Sequence, residues 1–138
     1  MALPFANDYF DAVVCIDSYH FFATDENYFD EKLRPLLKKN SDVVLTFPGL
    51  NYEISTVPSD MKEFWDDECL SKWHCIEWWR ERLESSISNF KIDKLECFDE
   101  SWRDWLTCDN PYAVEDREMM RADGGKYMVF FKVTGKTK

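Results

Sequence analysis

Two short runs, FDAVVCI at residues 10–16 and DVVLTFP at 42–48, constrain this chain more than anything else in it. Each is apolar on successive residues, so each must bury both of its faces. That is the pattern of strands inside a parallel sheet, not of strands with one wet face. Parallel neighbours need a crossover, and the residues between the runs are spaced for one. Phe29, Leu33, Leu36 and Leu37 fall at i, i+4, i+7 and i+8 and predict a helix over 25–38. Thr24 suits its N-cap and Asn40 a left-handed residue at its end, while Pro35 should bend or shorten it. The three pieces make a βαβ unit with a right-handed crossover.

The remainder reads as an excursion followed by two more strands. Pro48 and Gly49 end the second run, and a helical excursion is expected at about 50–88. It contains a short helical stretch near 59–67 and a longer helix over 71–86, whose face carries Ile76, Leu83 and Ile87 with Trp79 beside it. FKIDKLECF at 90–98 alternates with period two and predicts a strand with one wetter face. SWRDWL and YAVEDREMMRA are helical in pattern and joined by TCDNP; KYMVFFKV at 126–133 is the last strand, after the Gly124-Gly125 turn. A length of 138 residues suits one domain with one core.

Composition narrows the function classes. Seventeen basic against 27 acidic residues give a net charge of -10, which repels phosphates and anionic lipid and argues against nucleic-acid and membrane partners. There is no apolar run of bilayer-spanning length, and no secretory leader is expected. Five scattered cysteines argue against a disulfide framework, so they are expected to be reduced thiols in a cytoplasmic protein. The four glycines form no Gly-x-Gly or Walker-type loop, so the chain has no glycine-built phosphate cradle of its own.

Candidate site residues follow the first strand. Asp17, Ser18, Tyr19 and His20 come directly after its C-terminal end, where open α/β sheets bind ligands. The plainer reading is a loop whose Asp17 and Ser18 side chains satisfy backbone amides. His20 is the candidate catalytic base, because histidine titrates near neutrality, although a lone histidine is more often structural. Phe21, Trp65 and Trp78 are candidate pocket residues. Together with Trp73 and Trp79, the excursion's tryptophans either line a pocket for an apolar or cationic acceptor or pack an added helix. Trp102 and Trp105 read as packing residues. Cys69, His74 and Cys75 match no zinc spacing, so no metal is expected.

In order and spacing these pieces resemble a known family. LPFANDYFDAVVCIDSYHFF at 3–22, LRPLLKKNSDVVLTFPG at 33–49, IEWWRERLESSISNFKIDKLECF at 76–98 and REMMRADGGKYMVFFKVTGK at 117–136 resemble the C-terminal half of class I S-adenosylmethionine-dependent methyltransferases, of the bacterial small-molecule type. The resemblance implies an α/β fold: a partial Rossmann-like sheet in the strand order 4-5-7-6, the last strand antiparallel, with helices on both faces. It implies a single C-terminal subdomain over 1–138, the excursion serving as a lid on the acceptor side. It places Asp17, Ser18 and Tyr19 along the methionine part of S-adenosylmethionine, and Leu3 and Pro4 in the loop beside its adenine. Lys38-Lys39-Asn40-Ser41 stands where the family has Lys-Pro-Gly-Gly, a swap Asn tolerates because it can turn left-handed. The family's leading half, with its glycine loop and its ribose-holding acid, has no counterpart here. The resemblance therefore implies methyl transfer to a small molecule by a complete enzyme, and weak or no cofactor binding by this chain alone.

Half a sheet leaves strand 10–16 at an edge, carrying neither Pro nor Lys to block pairing. The expectation is a homodimer, or union with an N-terminal half, through that strand. Two other readings stand beside the enzyme: a non-catalytic interaction module that dimerises through the same edge, and an acidic decoy for a basic partner.

Overall fold

The computed structural model describes residues 3–23, 25–85, 90–97 and 99–138. Four strands form one sheet: β1 Phe10–Ile16, β2 Leu37–Leu50, β3 Phe90–Cys97 and β4 Met128–Thr137. They lie in the order β1-β2-β4-β3, with β1 and β2 parallel and β4 antiparallel to both of its neighbours. In the family's numbering this is the expected 4-5-7-6 sheet with its last strand reversed.

The crossover from β1 to β2 differs from the sequence reading. A short helix, α1 Tyr19–Phe22, follows β1. The expected helix over 25–38 shrinks to one π-type turn, Phe29–Leu33, and one 3-10 turn, Arg34–Leu36. Pro35 is the reason, since it has no amide hydrogen and its ring clashes with the preceding turn. Leu37 is already extended at ψ 135 and opens β2. Phe29 and Leu37 still reach the core, each at most 3% exposed, so the apolar spacing was met by another backbone. The expected N-cap, Thr24, and the helix-face residue Ile87 lie outside the described residues.

Asn40 does turn left-handed, at φ 63. Phe10 pairs with Leu37, but Ala12 pairs with Asp42, so residues 38–41 loop out of the ladder. Side chains staple the loop. The Ser41 hydroxyl lies 2.8 Å from the Lys38 carbonyl, the Ser41 amide donates to Thr137 Oγ1 at 2.9 Å, and the Thr137 hydroxyl donates to the Lys38 carbonyl at 2.7 Å.

Two apolar clusters cover the two faces of the sheet. On one face Val43, Leu45 and Phe47 of β2 and Phe131 and Val133 of β4 meet Trp79 and Leu83 of α3, Ile76–Ser85. On the other, Met128 and Phe130 of β4 meet Met120 and Trp105, carried by α5 Pro111–Asp123 and α4 Asp99–Thr107. The excursion adds Met61, Trp65 and Leu70 to this second cluster. Its stretch at 59–67 forms turns rather than the expected helix; the helix, α2 Asp67–Leu70, comes later and is capped by Asp66, whose side chain accepts from the Cys69 amide at 2.9 Å.

Sharp chain reversals set the positions of α5 and β4. Asn110 caps α5 by accepting from the Tyr112 amide at 3.0 Å, Pro111 fills the first turn, and Gly124 ends the helix left-handed at φ 59. Asp123, only 2% exposed, accepts from the amides of Gly125, Tyr127 and Met128 at 2.9, 3.0 and 3.1 Å. Gly49 in β2 lies against the ring of Phe131, leaving no room for a side chain. β1 stands at the open edge of the sheet, where Val14 and Ile16 are 62% and 69% exposed. Among the described residues no helix is long and apolar enough to cross a membrane.

Candidate functional site

A cleft of about 700 Å³ opens at the C-terminal end of β1. Ile16 and Asp17 leave the strand into it, and α1 adds His20 and Phe21. Pro48 and Phe130 of the sheet form its floor. The excursion supplies Phe64, Cys69 and Trp73. α4 supplies Trp105, and α5 and its cap supply Asn110, Tyr112, Glu115 and Asp116, with Met119 and Met120 behind them. The lining is therefore aromatic and apolar, with carboxylates on two opposing elements.

Asp17 holds a left-handed backbone at φ 51, and its amide donates to the Thr46 carbonyl at 2.7 Å. That conformation, tolerable for Asp, turns the chain out of the strand and into the cleft. Burial pushes the Asp17 carboxyl up to about 6, and the Asp116 carboxylate adds to the rise. Asp116 in turn accepts from Trp105 Nε1 at 3.0 Å, which fixes the indole against the cleft wall. His20 is 3% exposed, and burial pulls its ring down to about 4, with the Lys72 ammonium contributing. The imidazole is thus neutral at physiological pH. Its Nδ1 is buried and has no hydrogen-bond partner among the described residues. His20 packs on Phe21 with ring centroids 4.0 Å apart, and the Lys72 ammonium sits 5.2 Å from the other ring's centroid.

The structure brings Asp17, His20 and Phe21 together on this cleft with Trp73 of the excursion, and leaves the other sequence candidates off it. Ser18 is beside it, its hydroxyl 3.0 Å from Cys15 Sγ. Tyr19 is in the core, against Phe47 and Trp79, where burial pushes its phenol well above the ordinary value. Leu3 lines a separate apolar groove along β1 with Phe5, Val14 and Leu36, and Pro4 is exposed beside it. Trp65 is buried behind the cleft wall, edge-on to Trp73 at 5.4 Å. Trp78 stacks on His74 at 3.8 Å and beneath Arg82 at 4.7 Å, and faces away from the cleft. His74 itself is held by Glu53, at 2.6 Å. Among the described residues no cluster of three or more His, Cys, Asp or Glu is placed to hold a metal.

The residues that sequence reasoning missed come mostly from α5. Asp116 and Glu115 sit in a helix whose pattern, YAVEDREMMRA, reads as an ordinary solvated face. The one local signal was Asn110-Pro111, which starts a helix and so sets the phase of everything after it.

The raised carboxyl gives a testable stability change. Asp17 binds its proton more tightly folded than unfolded, so its contribution is fully present below pH 3.8 and is lost as pH rises through about 6. Asp17→Asn keeps the left-handed turn and removes that loss. It should raise stability at pH 7 by about 1 kcal/mol after solvent screening, with the gain vanishing towards pH 3.8, by chemical denaturation at several pH values. His20 has the opposite sign: its lowered value means that stability falls as pH drops from 6.5 towards about 4.

No protein-family model matches the sequence, and no curated protein matches it significantly. Solved structures do match. A protein from Galdieria sulphuraria, provisionally assigned as a sarcosine dimethylglycine methyltransferase, superposes with a TM-score of 0.65 at 12% identity, over 97% of this chain and 55% of its own. The [4+2]-cyclase SpnF matches with a TM-score of 0.60 at 12% identity, over 98% and 52%. Phosphoethanolamine N-methyltransferase 2 of Haemonchus contortus, bound to S-adenosyl-L-methionine, matches with a TM-score of 0.64 at 13% identity, over 96% and 34%. The chain spans about half the length of the first two and a third of the last. It has the fold of the C-terminal portion of S-adenosylmethionine-dependent methyltransferases.

Proposed function

We propose that this chain is the acceptor-side portion of an S-adenosylmethionine-dependent methyltransferase that acts on a small molecule, and that its cofactor site is completed by a glycine-loop-bearing segment laid along β1. The observation that carries the reading is one juxtaposition. The cleft begins at Ile16, the last residue of a strand whose outer edge is uncovered, and at Asp17 just beyond it. A ligand held there would be half enclosed by this chain and half by whatever pairs with β1.

The residues fit the cofactor at one end only. A sulfonium beside the Asp17 carboxylate and the aromatic wall is good chemistry for a cation. The four glycines of the chain supply no loop for the rest of it. When bound, S-adenosylmethionine supplies an electrophilic methyl group on sulfur. This chain's part is to hold the acceptor at bonding distance, through Asp17, His20 and Phe21, and to exclude water with Trp73 and Trp105. SpnF shares the fold with a different reaction in its name, so the reaction has to be tested and not inferred from the fold.

The test compares two lengths of the same reading frame. The chain alone, titrated with S-adenosylhomocysteine in a calorimeter, should give no measurable heat of binding. The frame extended upstream of Met1 should contain a strand followed by Gly-x-Gly and bind with micromolar affinity. Micromolar binding by the chain alone would overturn the shared-site reading, and so would a stop codon directly upstream. Pairing of β1 with a second copy is the competing occupant of the edge. It would appear as a dimer in size-exclusion chromatography that Val14→Lys dissolves.

A further inference from the structure

We propose that the cleft selects an amine that arrives as its cation: a primary, secondary or tertiary ammonium on an apolar or aromatic body, which gives its N–H proton to the Asp17 carboxylate before the freed nitrogen lone pair takes the methyl group and the S–C bond breaks. The inference rests on the methyl-transfer reading of the cleft and adds the substrate class to it. Three features argue for it together.

The first is charge. Asp17, just past the end of β1, and Asp116 of α5 come from distant parts of the chain, yet both line the cleft, and the Asp116 carboxylate disfavours ionisation of Asp17. Glu115 adds a third carboxylate to the rim. Within the described lining no lysine or arginine offsets them, and Lys72, the nearest ammonium to Phe21, is engaged with Glu68 at 2.6 Å. A ligand cation between the two aspartates would relieve a repulsion that the empty protein carries, which a neutral or anionic ligand would not do.

The second is the orphaned His20 Nδ1. A neutral imidazole has one donor and one acceptor nitrogen, and an unpartnered buried nitrogen costs free energy until something fills it. His20 is nearly enclosed and belongs to the cleft lining. Its neutral ring can accept a hydrogen bond from an ammonium N–H. Being already uncharged, it adds no repulsion to an approaching cation, whereas a histidinium would.

The third is the wall. Phe21, Phe64, Trp73 and Trp105 line the same cavity, and Phe130 lies in its floor. Aromatic faces attract cations directly and also take an apolar body. Trp105 is held in place by its bond to Asp116, so one carboxylate and one indole face act as a fixed pair. With Trp73 and Trp105 in the wall, ligand binding should be visible in tryptophan fluorescence.

The experiment uses the chain without cofactor and three probes of one shape: benzylammonium, benzyl alcohol and benzoate. Benzylammonium should quench tryptophan fluorescence at concentrations about tenfold below benzyl alcohol, and benzoate should not bind. Asp116→Asn should weaken benzylammonium about tenfold and leave benzyl alcohol unchanged. Because Asp116 also holds Trp105, Glu115→Gln on the exposed rim serves as a second variant, with a loss in the same direction. Equal binding of the alcohol and the amine, or preference for benzoate, overturns the cationic class while leaving methyl transfer standing. Displacement of benzylammonium by millimolar S-adenosylhomocysteine would assign the carboxylates to the cofactor's end of the cleft and also overturns the acceptor assignment. Amine binding that survives when the extended frame fails to bind cofactor would keep the cation site and remove the methyltransferase.

Discussion

Replacing Trp79 by alanine should cost about 4 kcal/mol, enough to leave the chain largely unfolded at 25 °C if its stability is at the low end for domains of this size. Trp79 is completely buried at the centre of the first cluster. Its ring meets Phe47 at 4.6 Å, Trp78 at 4.9 Å and Tyr19 at 6.3 Å. Those partners come from β2, α3 and α1, so the cavity would open where three elements meet and no one of them could move to fill it. Trp79 also carries an indole N–H with no hydrogen-bond partner among the described residues. Trp79→Phe removes that donor along with part of the ring, and so should cost only about 1 kcal/mol. Urea denaturation of the two variants separates volume from polarity; equal losses would mean that the ring's size contributes little.

Gly49→Ala should cost about 3 kcal/mol for one added methyl group. A β-carbon at this position would lie 2.7 Å from Phe131 Cδ2, closer still to its Cε2, and 2.8 Å from the His74 carbonyl oxygen. Phe131 is fully buried and cannot swing away, and the His74 carbonyl is engaged by the Leu50 amide at 3.0 Å. A smaller side chain at 131 relieves half of the conflict. Gly49→Ala combined with Phe131→Leu should therefore be less destabilising than the sum of the two single changes. Additive losses in thermal denaturation would show that the clash is not with the ring.

How far the fold was legible depended on whether a segment's own pattern decided it. FDAVVCI is a strand over the same seven residues that the sequence suggested, because a run apolar on both faces has few other homes. The 126–133 run extends to Met128–Thr137, and its alternation splits neatly, Phe130 to one cluster and Phe131 to the other. The crossover misled because Leu36 and Leu37 satisfy a helical stripe and a strand's first residues equally well, and Pro35 chose the strand. The edge position of β1 followed from the resemblance, and Val14 and Ile16 are exposed there.

The site was legible only on its first wall. Asp17, His20 and Phe21 follow a parallel strand by a few residues, so the strand places them. The opposite wall depends on how α4 and α5 fold back over the sheet, which no local pattern states. Trp105 reads as a packing residue by its spacing, yet it lines the cleft with its N–H on Asp116. Trp65 and Trp78, chosen for their neighbourhood, are turned into the protein or away from the cleft, where Trp65 meets Trp73 edge-on and Trp78 stacks on His74.

The cleft also draws its lining from widely separated parts of the chain, residues 16–21, 64–73 and 105–120. A molecule that settles between them works as a clasp on the whole polypeptide, because none of them can peel off without releasing it. Its grip should therefore surface as a rise in the global melting point rather than as local quieting of one loop. A ligand at a hundred times its dissociation constant would add about 2.7 kcal/mol, so a plain heat-denaturation screen can search for the natural occupant without any knowledge of the reaction.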